Sequence, residues 1–182
     1  MTELERLLSG PAATAAQGLL GRRLESRTGG QVVGVVITEV EAYGGPDDPA
    51  SHAYRGLTER NRSMFGPPGT LYVYRSYGIH WCMNVVTGPE GAASAVLLRG
   101  GEPVEGEATM VGRRGRSDVL ARGPGRLTQA LGVSGDLDGS SVFDGPVSIV
   151  GDPHPDLAWT ATPRIGISRA TDRPWRFVLS GS

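Results

Sequence analysis

Residues 31 to 43, QVVGVVITEVEAY, are rich in β-branched side chains and predict a long strand. Alternation along such a strand puts Val35, Ile37, Glu39, Glu41 and Tyr43 on one face. Two carboxylates following two aliphatics is the wrong pattern for a face that only packs a core, so this strand predicts a site. Residues 69 to 77, GTLYVYRSY, and 79 to 87, IHWCMNVVT, predict a hairpin whose connection lies near Arg75, Ser76, Tyr77 and Gly78. Tyr72 and Tyr74 then share one face of the first arm, and His80, Cys82 and Asn84 one face of the second. Tyr77 falls at or near the tip. Residues 94 to 99, SAVLLR, predict a further strand that ends in Arg99.

The remaining pattern is shorter-ranged. Pro11 and Gly21 bracket a helix-like run, AATAAQGLL. Residues 22 to 25 predict a short strand before the turn at Thr28, Gly29 and Gly30. A helix is expected from near Pro103 toward Val111, and a second in GRLTQALGV after Gly123, Pro124 and Gly125. The last third predicts short strands at 147 to 150, 164 to 168 and 176 to 180. Residues 44 to 68 form a long irregular segment, a length that usually signals function. With no internal repeat and no break in pattern, the 182 residues read as one domain.

Composition narrows the chemistry. The 28 glycines and 13 prolines indicate a chain rich in turns rather than a helix bundle. A hydrophobic fraction of 38% with a net charge of -1 excludes a disordered polyelectrolyte. No apolar run approaches the roughly 20 residues of a membrane helix, and MTELERLLSG lacks a signal-peptide pattern, so a cytoplasmic protein is expected. One cysteine, Cys82, and three histidines, His52, His80 and His154, offer no intrachain disulfide and no metal-ligand spacing. All 18 basic residues are arginine. The absence of lysine removes side-chain Schiff bases, pyridoxal phosphate and the Walker lysine.

Charge and aromatics are unevenly spread. Arginines cluster at 55 to 62 and again at 113 to 126, the latter including Arg113, Arg114 and Arg116. Their guanidinium forks suit phosphate oxygens, although charge alone reads equally well as a solvated loop. All five tyrosines fall between Tyr43 and Tyr77, with His52, His80 and Trp81 nearby. Such a concentration suits stacking on flat ligands, including bases, and equally a tyrosine-rich hairpin core. An exposed aromatic on a hairpin tip can act as a wedge in a base stack, which enzymes that flip a base out of a duplex require. Glu39 and Glu41, with Cα atoms about 6.5–7 Å apart on a strand, supply candidates for a base that activates water.

These residues lie in blocks that resemble the alkyladenine (3-methyladenine) DNA glycosylase family, bacterial branch. The blocks are TEVEAYGGPDDPASHAYRGLTERNRSMFGPPGTLYVYRSYGIHWCMNVV, SAVLLRGGEPVEG, GPGRLTQALG and the ending RIGISRA with PWRFVLSGS. The resemblance implies an α+β fold: a single domain with a curved antiparallel sheet, flanking helices and a protruding hairpin. It implies a monomeric, monofunctional, cofactor-free glycosylase of the bacterial nucleoid. Such an enzyme flips a damaged purine out of double-stranded DNA and hydrolyses its N-glycosidic bond, leaving an abasic site. Glu41 is then the general base. Arg99 and the Ile167 carbonyl would position the water. Tyr43 would stack on one side of the base, with His52 and Tyr74 forming the other wall. The His52 amide would donate to the base, Asn84 would crowd the guanine 2-amino group, and Tyr77 would intercalate. DNA contacts by His80, Arg113, Arg114 and Arg116 are a further expectation. His80 and Trp81 replace other aromatics of the animal members, and residues 87 to 93 look slightly longer than in those members. Two alternatives stand beside this reading: a small-molecule nucleosidase using Glu39 and Glu41, and a noncatalytic module that binds damaged DNA.

Overall fold

The computed structural model describes residues 1–153 and 156–181, so His154 and Ser182 lie outside the described residues. Its organising element is β2 (Val33–Tyr43), whose β-branched residues suit a strand hydrogen-bonded on both edges. One edge of β2 pairs along its length with β5 (Ser94–Glu105). The other edge is divided between β1 (Arg23–Ser26), beside residues 33–36, and β8 (Arg176–Leu179), beside residues 39–41. The sheet continues outward through β4 (His80–Thr87) to β3 (Leu71–Ser76) on one side and from β1 to β6 (Val147–Val150) on the other. A last strand, β7 (Trp159–Thr162), pairs with β8. Every pairing is antiparallel. With four helices among the described residues, α1 (Glu3–Leu8), α2 (Ala12–Leu19), α3 (Glu107–Arg114) and α4 (Pro124–Leu131), this makes the expected α+β architecture of a curled antiparallel sheet with a projecting β3–β4 hairpin.

The core forms where the helices cover the sheet. Leu8 of α1, Ala15 and Leu19 of α2, and Leu127 and Leu131 of α4 pack with Val35, Ile37, Val40, Val85 and Leu98. A second apolar cluster, Ala53, Met64, Tyr72, Val86, Ala93 and Ala95, lies under the segment 44 to 68. That segment has structure of its own. It contains 3-10 turns at Gly45–Asp47 and Arg62–Phe65, and Asn61 ties it together. The Asn61 side chain donates to the carbonyls of His52 and Gly56 and accepts from the Thr58 amide. Helix α1 has no counterpart in the sequence reading, although Thr2 and Glu5 form a reciprocal capping box at its start.

The structure corrects three expectations. First, the face of β2 is not continuous. Between Ile37 and Val40 the register with β5 shifts twice, leaving Thr38 on one strand and Arg99 on the other without an opposite residue. Irregularities of this kind reverse the sense of alternation. Val33, Val35 and Ile37 face the core before them, and Val40 and Ala42 after. Glu39, Glu41 and Tyr43 therefore point away from the core that Val35 and Ile37 build. Second, β5 does not end at Arg99. It runs through Gly100 and Gly101 to Glu105, and the helix starts at Glu107 rather than near Pro103. The glycine pair is needed for close approach, since a Cβ at Gly101 would stand 2.5 Å from Val35 Cγ2. Pro103 is tolerated because the pairing is irregular beside it. Third, residues 164 to 168 form no strand. Arg164 is buried and Gly166 has φ of 72°, so the chain turns there instead of pairing.

Gly101→Ala should destabilise the protein by about 1–3 kcal/mol through overpacking against Val35, measured as a lower midpoint of chemical denaturation.

Candidate active site

The bulged centre of the sheet borders a cavity of about 540 Å³, within the roughly 300–1,000 Å³ of ordinary ligand sites. Its walls are aromatic. The Tyr72 and Tyr74 rings stack with centroids 5.3 Å apart, because the two residues share a face of β3. The His52 ring meets Tyr74 edge-on at 4.6 Å, and its Nδ1 lies 3.0 Å from the Tyr72 hydroxyl. Tyr43 closes another side. Asn84, opposite Tyr72 on β4, sits in the floor and donates from Nδ2 to the Tyr72 carbonyl at 3.1 Å. Cys82 and Arg99 also line the cavity, as do Ile165, Gly166 and Ile167 from the loop that replaces the expected strand.

Glu41 lies directly behind this wall and is fully buried. Each of its oxygens meets one donor. The Tyr43 hydroxyl donates to Oε2 at 2.8 Å, and the Ile165 amide donates to Oε1 at 2.7 Å. Arg99 Nε stands 3.6 Å from the same Oε1. All three neighbours line the cavity, while Glu41 itself does not. Burial, and then the Glu41 charge, push the Tyr43 phenol well above its ordinary range, so it stays a neutral donor. Burial raises the Tyr72 phenol to about 12. Partial burial of the His52 ring and the nearby Arg60 charge hold its pKa below the usual imidazole range, so the ring is neutral at physiological pH.

Three residues, Tyr77 to Ile79, connect the paired Ser76 and His80 at the hairpin tip, and the Ile79 amide donates to the Ser76 carbonyl. Tyr77 and Gly78 have φ of 50° and 67°, the left-handed pair of a type I′ turn. Gly78 adopts it freely. Tyr77 does so against the ordinary preference of a bulky residue, and its side chain is 93% exposed at the cavity rim.

Tyr43 is held from behind. The Arg164 guanidinium lies 4.7 Å from the Tyr43 ring centroid and 5.4 Å from that of Trp175. Arg164 pairs with Asp48 through two hydrogen bonds and donates to the Ala42 carbonyl, and both charged side chains are fully buried. Asp48 also accepts from the Gly44 and Ala50 amides. One buried ion pair thus joins the start of the irregular segment, the end of β2 and the loop that carries Ile165.

The other candidate residues lie elsewhere. His80 packs beside Gly125 of α4, outside the aromatic cavity. Arg113 donates to the Ala130 and Thr28 carbonyls and thereby caps the C-terminal end of α4. Arg114 donates to the Leu120 carbonyl and the Gln129 side chain. Arg116 forms a two-point pair with Asp118 on the surface. Among the described residues no three His, Cys, Asp or Glu side chains stand close enough to hold a metal ion, and no helix is long and apolar enough to cross a membrane.

Four site residues, Ile165, Asp48, Arg164 and Arg176, carried no assignment from sequence. The Ile165 amide carries no sequence signal, because any residue but proline supplies the same donor. The pair of Asp48 and Arg164 is separated by 116 positions. Arg176, which donates to Glu39, lies in a strand that sequence marks only as a strand.

Comparison with known proteins adds an independent line. The family model described as methylpurine-DNA glycosylase matches residues 6–182. A protein of Frankia casuarinae is 55% identical over 82% of this chain and 77% of its own length. One from Methanoculleus marisnigri is 51% identical over 93% and 90%, and one from Nocardia farcinica 50% identical over 100% and 89%. The names of all three include the words 3-methyladenine DNA glycosylase.

Arg164→Met, which strands Asp48 without its partner, should cost about 3–5 kcal/mol. Burial raises the Asp48 carboxyl, but the bonds from Arg164, Gly44 and Ala50 outweigh it and hold the group below its ordinary 3.8. A group lowered in the folded state contributes in full above its unfolded value, and that contribution is lost as pH falls through the folded value. Wild-type stability should therefore decline below about pH 4. Asp48→Asn should be less stable at neutral pH and show a flatter acid limb in denaturation midpoints measured across pH.

Proposed function

The chain belongs to the methylpurine-DNA glycosylase family, and on that footing we propose that it flips alkylated or deaminated purines out of duplex DNA and hydrolyses their N-glycosidic bond. The observation that carries this reading is the position of Glu41. Among the described residues, this fully buried carboxylate is hydrogen-bonded only to Tyr43 and Ile165, which line an aromatic cavity, and an exposed tyrosine stands at the rim of that cavity.

In this reading Tyr77 enters the base stack and fills the space the nucleotide leaves. The extruded purine lies between Tyr43 on one side and His52 and Tyr74 on the other. The His52 amide, which donates to nothing among the described residues, bonds the base. Asn84 in the floor crowds a guanine 2-amino group. Each Glu41 oxygen keeps a lone pair beyond its one donor. A water held between Glu41, Arg99 and the Ile167 carbonyl gives its proton to Glu41 as its oxygen bonds to C1′ of the sugar. The electrons of the glycosidic bond leave with the base. The same carboxylate stabilises positive charge developing on the sugar. With no lysine in the chain, no lysine side chain is present to cleave the strand at the abasic product.

The arginines support a DNA partner, and four of those without a carboxylate partner among the described residues, Arg55, Arg60, Arg122 and Arg126, belong to the two clusters seen in the sequence. Arg113 and Arg114 donate inward and Arg116 is paired. Other arginines have no carboxylate partner among the described residues. Arg55, Arg60 and Arg169 line a depression of about 660 Å³ that adjoins the cavity past His52. Arg75 joins Arg60 beside the hairpin tip, and Arg122 and Arg126 each lie two residues along the chain from Pro124, which lines the cavity. The enzyme acts on DNA as a monomer in this reading, with the whole chain as one domain.

The decisive experiment uses end-labelled duplexes carrying one hypoxanthine or one ethenoadenine, and methylated DNA, with alkali to reveal abasic sites. Wild type should release base. Glu41→Gln should lose about 10²–10⁴-fold or more in single-turnover rate and still bind duplex. Full activity of Glu41→Gln would remove it as the base, and tight duplex binding without product from wild type would favour a binding module. Tyr77→Ala should weaken affinity for an abasic-site duplex more than it slows chemistry; unchanged affinity would count against the wedge. Arg60→Gln with Arg169→Gln should flatten the log–log salt dependence of DNA binding by about 1–2 in slope.

A further inference from the structure

The hydrolysis described above leaves one carboxylate of the site unused. Glu39 lies two residues before Glu41, and the paired irregularities in β2 and β5 bring both beside Arg99. Glu39 Oε1 accepts from two guanidinium groups at once, from Arg99 Nε at 2.9 Å and from Arg176 Nε at 2.6 Å. Arg176 is held in turn by donating from Nη1 to Thr162 Oγ1 at 3.0 Å, a contact between β8 and β7. Burial raises the Glu39 carboxyl, but the hydrogen bonds from Arg176 and Arg99 outweigh it and leave the group lowered and ionised. The cluster thus carries two carboxylates and two guanidinium groups, each charge compensated.

The distances are unequal in an informative way. Arg99 Nε is within hydrogen-bonding reach of Glu39, whereas its 3.6 Å to Glu41 Oε1 is too long for a hydrogen bond. A guanidinium has a single Nε–H, and here it is spent on Glu39. The terminal nitrogens of Arg99 bond no group among the described residues, and Arg99 lines the cavity while Glu39 does not. We infer that Glu39 is a positioning residue: it takes the Nε proton of Arg99 and so keeps that guanidinium beside Glu41 without a hydrogen bond to it. Glu41 then has a cation next to it while retaining the lone pair that receives the proton of water. Without the Glu39 charge, a small shift lets Arg99 Nε bond Glu41 Oε1, which occupies that lone pair and opposes its protonation. This inference rests on the proposed roles of Glu41 and Arg99.

The test is single-turnover release of hypoxanthine from a duplex by wild type, Glu39→Gln, Glu39→Asp, Glu41→Gln, Arg99→Gln and the double variant Glu39→Gln/Arg99→Gln. Affinity for an abasic-site duplex and thermal unfolding are followed alongside. Glu39→Gln should slow release roughly 10- to 100-fold with abasic-site affinity held within about twofold. Glu39→Asp, which keeps the charge, should regain part of the lost rate. Because Glu39 acts through Arg99, the double variant should be no slower than Arg99→Gln alone. Multiplicative losses in the double variant, a wild-type rate for Glu39→Gln, or unfolding of that variant at the assay temperature would each overturn the inference. Full activity of Glu41→Gln would instead overturn the parent reading, so the two failures are distinguishable.

Discussion

Everything at the site depends on how β2 and β5 fail to pair in perfect register. One unopposed residue on each strand, Thr38 and Arg99, reverses the inward face of β2 between Ile37 and Val40. Aliphatic residues therefore face the core on both sides of the break, and Glu39, Glu41 and Tyr43 are turned away from it. Had the alternation continued, two carboxylates would sit in the apolar interior, where unpaired charge is prohibitively costly. The same break projects Arg99 out of β5 into the space between the two carboxylates. An irregularity of hydrogen bonding is thus the source of the charge cluster.

The second constraint is rigidity around Tyr43. A stacking wall is useful only if its plane is fixed before the ligand arrives. The buried pair of Asp48 and Arg164 fixes it from behind, and the same guanidinium rests against Trp175. Buried ion pairs contribute little net stability compared with apolar packing. Here the pair ties three separated segments to one aromatic ring, which apolar contacts would do with less directional control. The loop holding Ile165 is part of this assembly, so the amide that bonds Glu41 is placed by the same interaction that supports Tyr43.

The hairpin tip shows the opposite balance. Tyr77 is exposed, occupies a backbone conformation that disfavours bulky residues, and packs on nothing that accounts for its size. The arginines divide in a related way. Within the densest run of the sequence, Arg113 and Arg114 hold neighbouring groups and Arg116 pairs with Asp118, whereas Arg122 and Arg126 of the same run have no carboxylate partner among the described residues. Local charge density is thus a poor guide to where charge is free.

Sequence by itself determined the strands β2, β3 and β4, the hairpin with Tyr77 at its tip, the helix after Pro124, and the tyrosine-rich neighbourhood of Glu41. These follow from local preferences: β-branched runs, left-handed turn residues and proline at a helix start act within a few residues of where they occur. Tertiary structure alone decided the rest. The face reversal in β2 depends on what β5 places opposite it, and the persistence of β5 through Gly100 and Gly101 depends on the bulk of Val35 across the sheet. The loop at 164 to 168 forms because Arg164 is drawn into a charge pair 116 residues distant. The Ile165 amide and the shared oxygen of Glu39 depend on backbone position and on long-range convergence, and neither leaves a mark in residue type or spacing.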